Sequence, residues 1–388
     1  MNFEEVKRQE QENLMPTYGR FPVALVYGKG AVAVDTEGKE YIDFTSGIGV
    51  NSLGYCDDGW VSAVAKQAGA IQHMSNLYYS PVQTSLAAEL CRLTGFGRVF
   101  FCNSGAEANE CAIKLARKYS ADKYGKQRTE IVTLVNSFHG RTVTTLAATG
   151  QDVFHEHFWP FTEGFSYARA NDFESLLSCV TENTCAVLIE LIQGEGGVMP
   201  LEKEFVRKTA ALCKEKDILL MIDEVQTGNG RTGKLYSYQH FGILPDVVST
   251  AKGLAGGLPM GACLFSEKAA DVLTPGTHGS TFGGNPVCAA AALYVQDRLT
   301  DELMAEVAQK GEWVWAELTQ LPGVTVSGRG LMLSVESGKP AGALVSDLLS
   351  RGVVALTAKT KLRLLPPLTI PWSDLKQAVS IIKEALSA

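Results

Sequence analysis

The stretch ILLMIDEVQTGNGRTG, residues 218–233, opens with five apolar residues, turns acidic at Asp223 and then runs into glycines. An unbroken apolar run of this length suits a strand buried on both faces, and the charge marks the end where it meets solvent or a ligand. Working outward, the same pattern recurs in VFFC (99–102), IVTLV (131–135), AVLIE (186–190), VVST (247–250) and ACLF (262–265). Helical stretches lie between the runs, notably 105–119 and 204–216. Alternation of this kind predicts an α/β fold with a large, mostly parallel sheet.

The two chain ends read differently. VALVYGKGAVAVDTEGKEYIDF (23–44) suggests a small hairpin, while VTVSGRGLMLSVE (324–336) and KLRLLPPL (361–368) look like further strands. Ser373 is placed to cap a last helix whose apolar face carries Leu375, Val379, Ile382 and Leu386. The expected plan is a large domain over 51–283 and a smaller α+β domain built from 1–50 and 284–388. A ligand would then sit at the carboxyl ends of the strands.

Of 388 residues, 46% are hydrophobic and 20% charged, enough apolar content for a sizeable core. Lys and Arg total 35 against 42 Asp and Glu, a net charge of -7, which argues against a nucleic-acid partner. No run approaches the roughly 18 apolar residues of a membrane span. Nine cysteines, with no CxxC, read as reduced thiols of a cytoplasmic protein. His155 and His157 form a tight pair, but the local sequence offers no further zinc ligands, so no metal is expected.

Several segments carry chemistry. Ser104-Gly105-Ala106-Glu107 follows VFFC and reads as a capping box, and the amides of such a helix start bind phosphate. A well-capped helix without a ligand explains it equally. Asp223 is a strand-end carboxylate, costly to bury unless paired; the ordinary use of such a residue is a turn or cap. Gln226 can reach the same mouth. Lys252 follows VVST and sits among small and apolar residues, where burial lowers a lysine pKa and frees a nucleophilic amine. Most lysines in glycine-rich loops are simply solvated. Phe138 and Arg141 in SFHGRT offer an aromatic face beside a guanidinium. Thr281, in HGSTFGGNP, adds a hydroxyl on a flexible backbone, and Arg363 lies inside an apolar run, where full burial calls for an anion partner. A surface salt bridge for Arg141 and a snorkelling edge-strand position for Arg363 explain them equally. Gly228-x-Gly230-x-x-Gly233 imitates a dinucleotide fingerprint, but no long helix and no later strand-end acid follow it.

Taken together, an amine, a strand-end acid, an anion cradle and a flat ring match the needs of pyridoxal 5'-phosphate. With these residues in place, the chain resembles the class III (ornithine-type) aminotransferases of the type I pyridoxal-phosphate fold. The likeness runs through nearly its whole length. It rests on TYGRFPV, GKEYIDFTSGIGVNSLG, SNLYY, FCNSGAEANECAIKLAR, SFHGRT, IQGEGG, DEVQTGNGRTG, HGSTFGGNP and LRLLPPL.

The resemblance implies that Lys252 holds the cofactor covalently and shuttles the proton, while Asp223 keeps the pyridine nitrogen protonated. It assigns Gln226 to the ring hydroxyl and Phe138 to the ring face, with Ser104, Gly105 and Ala106 at the phosphate. Thr281 would reach the phosphate of a partner's site, which implies a homodimer. Arg141, helped by Tyr18, would bind the distal carboxylate of the substrate. Arg363 would bind the α-carboxylate of glutamate or 2-oxoglutarate, and Glu195 would mask it when the other substrate is bound. The implied reaction moves the side-chain amino group of N-acetylornithine to 2-oxoglutarate in arginine biosynthesis, with ornithine, succinylornithine and 4-aminobutyrate as alternative donors.

Rival readings are a non-enzymatic phosphate-binding module, which would trap no lysine with borohydride, and an aminomutase, which would need no added oxo acid. The chain departs from the family at Leu191, where proline is usual, at Asp57-Asp58, where His-Pro is usual, and at Asn229. Leu191 bears on the loop that carries Glu195, and so on substrate preference.

Overall fold

A computed structural model describes residues 1–388. Its largest sheet contains β1 (Arg98–Cys102), β2 (Glu130–Leu134), β3 (Phe165–Ala168), β4 (Thr184–Ile189), β5 (Leu219–Asp223), β6 (Val247–Thr250) and β7 (Gly261–Phe265). Six of these coincide with the apolar runs. The seventh, β3, is an edge strand of four residues, FSYA, only partly buried, so it lacks the continuous apolar signature.

The spatial order is β1-β7-β6-β5-β4-β2-β3. Strands β6, β5, β4, β2 and β3 pair in parallel, and β7 runs antiparallel to both β6 and β1. Every residue of β4, β5, β6 and β7 is buried. Helices cover both faces, and each fully buried aliphatic side chain contributes about 1.5–3 kcal/mol relative to exposure. Helix α1 (Gly105–Tyr124) and helix α2 (Lys203–Glu215) sit where the sequence places them.

The ends fold together. Leu25–Lys29, Val32–Asp35 and Glu40–Asp43 form an antiparallel meander, one strand more than a hairpin. The C-terminal strand Val353–Val354 joins it, parallel to Glu40–Asp43. A separate antiparallel sheet comprises Thr325–Arg329, Met332–Glu336, Lys361–Leu364 and Leu356–Ala358. Helix α3 (Trp372–Ser387) buries Leu375, Val379, Ile382 and Leu386 as predicted. Its N-cap is Pro371, however, and Ser373 lies inside the first turn, bonded to its neighbour Asp374. Proline just ahead of the helix fixes the entry backbone without a side-chain cap.

The glycine triplet 228–233 is a junction between the large sheet and the C-terminal strands. Arg231, fully buried within it, donates to the carbonyls of Leu331 and Pro366. No helix of the chain is long and apolar enough to cross a membrane. All nine cysteines are unpaired.

Candidate active site

Because β1, β2, β4, β5 and β6 point the same way, the segments that follow them converge at one edge of the sheet. There they enclose a cavity of about 410 Å³. Its walls include Ser104, Gly105, Ala106, Phe138, Arg141, Asp223, Gln226 and Lys252, eight residues named from the sequence.

Asp223 ends β5 at the cavity floor and is 4% exposed. Its Oδ2 accepts from Asn109 Nδ2 at 2.7 Å and from His139 Nδ1 at 2.8 Å, and its Oδ1 accepts from the Val225 amide at 3.0 Å. Since a carboxylate only accepts, the proton of His139 lies on Nδ1. Asn109 also donates to the His139 carbonyl at 2.8 Å, tying the segment after β2 to helix α1. The acid is therefore fixed from three directions.

Helix α1 begins beside it. Ser104 Oγ accepts from the Glu107 amide, as a cap should. The Glu107 carboxylate goes instead to the amide and side chain of Asn103, so the box is displaced by one residue. The first-turn amides have no carbonyl partners within the helix and can receive an anion. A side chain at Gly105 would meet Val225 at 2.6 Å, so the close packing of helix start on β5 loop requires glycine.

Lys252 follows β6 with φ 46° and makes no hydrogen bond or ion pair through its side chain. Burial pushes its pKa below the usual lysine value, partly opposed by the charge of Glu195. Asn229 Nδ2 donates to Thr250 Oγ1 at 2.9 Å and to the Ala251 carbonyl at 3.2 Å, which fixes the backbone just ahead of the lysine. This gives the atypical Asn229 a local structural task.

The two arginines differ. Arg141 is exposed and makes no ion pair; its guanidinium lies over the Phe154 ring at 4.2 Å and the Phe138 ring at 5.6 Å. Arg363 is 3% exposed and is paired with Glu195 at 2.5 Å, with Gln226 Oε1 at 3.4 Å. Burial raises the Glu195 pKa, but the charge and hydrogen bond of Arg363 outweigh it, leaving a net shift below the usual carboxylate range. The Nε of Arg363 is buried without a partner.

Four residues named from the sequence are not among the cavity walls: Glu195 and Arg363, paired with each other next to the lining residue Gln226, and Tyr18 and Thr281. Tyr18, 73% exposed, belongs to an N-terminal arm, and Thr281 is exposed beside His73 and Asn76. Neither borders this cavity within one chain. Its walls also include Asn109, His139 and Glu190, to which the sequence reading gave no role. Glu190 had a usable signal, since it ends the apolar run AVLIE as Asp223 ends ILLMID. Asp57 and Asp58 cap and flank the helix Asp58–Ala68, away from the cavity: Asp57 accepts from two amides and pairs with Arg298, and Asp58 pairs with Lys29.

The unmet groups of the cavity specify a guest. Free helix amides want an anion, an unpaired amine of lowered pKa wants a carbonyl, and Phe138 offers a flat face. Pyridoxal phosphate carries all three complements, and the residues present fit it.

The Aminotransferase class-III family matches residues 15–386. The acetylornithine aminotransferase of Haemophilus ducreyi is 49% identical over 391 residues, covering 100% of both chains. The crystal structure of ornithine aminotransferase from Toxoplasma gondii ME49 superposes with a TM-score of 0.96 at 30% identity, covering 100% of this chain and 95% of the other. That of acetylornithine aminotransferase from Elizabethkingia anophelis gives 0.89 at 32% identity, covering 100% and 99%.

Proposed function

The chain belongs to the class-III aminotransferases, and from that premise we propose that it transfers the side-chain amino group of N-acetylornithine to 2-oxoglutarate. The products are N-acetylglutamate semialdehyde and glutamate, and the setting is arginine biosynthesis. The cofactor is pyridoxal 5'-phosphate. When bound, it supplies an aldehyde and an electron-withdrawing ring, the chemistry that amino-group transfer requires.

In this reading Lys252 would hold the cofactor through Nζ and would move the substrate proton at that same atom. Burial lowers its pKa and so favours the proton-free form that this role needs. Asp223, held by Asn109, His139 and Val225, would hold a proton on the ring nitrogen. Ser104, Gly105 and Ala106 hold the phosphate, Gln226 the ring hydroxyl, and Phe138 the ring face. Residues 51–283 form the cofactor-bearing domain, completed at its rim by the ends of the chain.

The observation that carries the substrate assignment is the contrast between the arginines. N-acetylornithine has one carboxylate, and glutamate has two. Arg141, with no ion-pair partner, is available to a carboxylate of either, with Tyr18 joining it from the N-terminal arm. Arg363, covered by Glu195, becomes available only when a second carboxylate displaces that partner. Full-length identity of 49% to an acetylornithine aminotransferase supports the same donor.

We also read the working unit as a cytoplasmic homodimer. Thr281 would reach the partner's phosphate, and the strongly exposed Leu77, Tyr79 and Phe282 nearby would be covered by the second copy. Nine unpaired thiols suit a reducing compartment.

A half-reaction screen tests the assignment. Holoenzyme is mixed with single amines and loss of the cofactor's visible absorbance is followed. N-acetylornithine should bleach it faster than ornithine, succinylornithine or 4-aminobutyrate; equal or slower bleaching rejects the donor.

A further inference from the structure

Glu190 follows directly on β4, is 6% exposed and borders the cavity. No lysine or arginine pairs with it. Its two oxygens go to two different loops: Oε2 accepts from the Phe138 amide at 2.9 Å, and Oε1 accepts from the Gly194 amide at 3.2 Å. Phe138 lies three residues before Arg141. Gly194 immediately precedes Glu195.

Those loops have little freedom to exchange this anchor for another. A side chain at Gly194 would meet Gln226 at 2.6 Å, so the turn is pressed onto Gln226, which itself contacts Arg363. On the other loop, the His139 ring is tied to Asp223. One carboxyl thus joins the segment that presents the open arginine to the turn that presents the cover of the closed one. A buried acid without a cation is expensive, and two backbone donors are its only direct compensation. Burial raises its pKa to about 7, only partly opposed by the charge of His139.

We propose that Glu190 is a positioning residue that couples the two carboxylate-docking arginines, by holding the Phe138 and Gly194 backbones at one fixed spacing. It thereby sets how firmly Glu195 covers Arg363, and so the balance between single-carboxylate and two-carboxylate substrates. The proposal rests on the roles assigned above to Arg141, Glu195 and Arg363.

The test compares holoenzymes of wild type, Glu190→Gln and Glu190→Asp. Glutamine keeps the shape but offers one acceptor oxygen and sets an NH₂ against one of the amides. Aspartate keeps the charge but is too short to reach both loops. In each variant the cover should loosen. The ratio of kcat/KM for glutamate to kcat/KM for a single-carboxylate amine should rise about tenfold, the size of one lost buried hydrogen bond. Calorimetric titration with glutarate, a dicarboxylate that cannot react, should show tighter binding than wild type. The pH profile of the glutamate half-reaction should also move, because Glu190 faces His139, Asp223 and Lys252.

Equal losses in both half-reactions with unchanged glutarate affinity would reduce Glu190 to a packing residue and overturn the proposal. So would a ratio within about twofold of wild type in both variants. The single-carboxylate amine is whichever one the wild type bleaches with fastest. A wrong donor assignment therefore appears in the wild-type screen and leaves the ratio test intact.

Discussion

The floor and the rim of the cavity are built on opposite principles. At the floor, Asp223 stands at the end of a buried strand and receives three donors from helix α1, the loop after β2 and its own loop. At the rim, Arg363 depends on one carboxylate, Glu195, brought from a different part of the chain. A group held from three sides keeps its place whatever binds. A group with one charged partner, and otherwise only the long contact to Gln226, can exchange that partner. In the function proposed above, the floor serves the chemistry common to both substrates and the rim chooses between them.

Substitutions can break this contrast or sharpen it. Lys252→Ala should have the largest effect, ending multiple turnover by several orders of magnitude while cofactor can still be retained. A variant with near-normal steady-state rates would remove the floor from the chemistry altogether. Asp223→Ala should lower kcat in both half-reactions by about 10²–10³-fold, with little change in their ratio. Stopped-flow measurement of each half-reaction checks it. Glu195→Ala should do the reverse, changing the ratio by about tenfold while leaving the preferred half-reaction near wild type. If both half-reactions fall alike, the rim is no switch. His139→Ala removes one of three donors from the floor and should cost about tenfold in kcat, less than removing the acid itself.

The smallest expected effect is on stability. Burial pushes the Glu190 carboxyl up to about 7 from an ordinary value of 4.5. The folded state therefore binds more protons over that interval, and stability falls as pH rises from 4.5 to about 7. Melting curves of wild type should decline across that window, and Glu190→Gln should flatten the decline by about 2–4 °C.

The floor was more legible in the sequence than the rim, for a physical reason. Strands covered on both faces must be apolar throughout, so Asp223 and the lysine after VVST stand out against their runs. The groups that hold Asp223 do not. Asn109 lies within a helix and His139 in a loop, and only the fold brings them onto one carboxylate. Glu190 carried the same strand-end signature as Asp223, but its partners are backbone amides, which no sequence pattern displays. Ser373 looked like a helix cap because serine usually is one, yet Pro371 already fixes that entry. Edge strand β3 was hidden by its brevity and exposure.

The pairing of Val353–Val354 with Glu40–Asp43 has a consequence for biogenesis. The Glu40–Asp43 strand leaves the ribosome long before its parallel neighbour, Val353–Val354, is synthesised. While the intervening sheet is being synthesised, the Glu40–Asp43 edge waits without that partner, open to aggregation or to chaperones. A chain that stopped ahead of Val353 would carry Asp223 and Lys252 yet leave that β-edge unsealed.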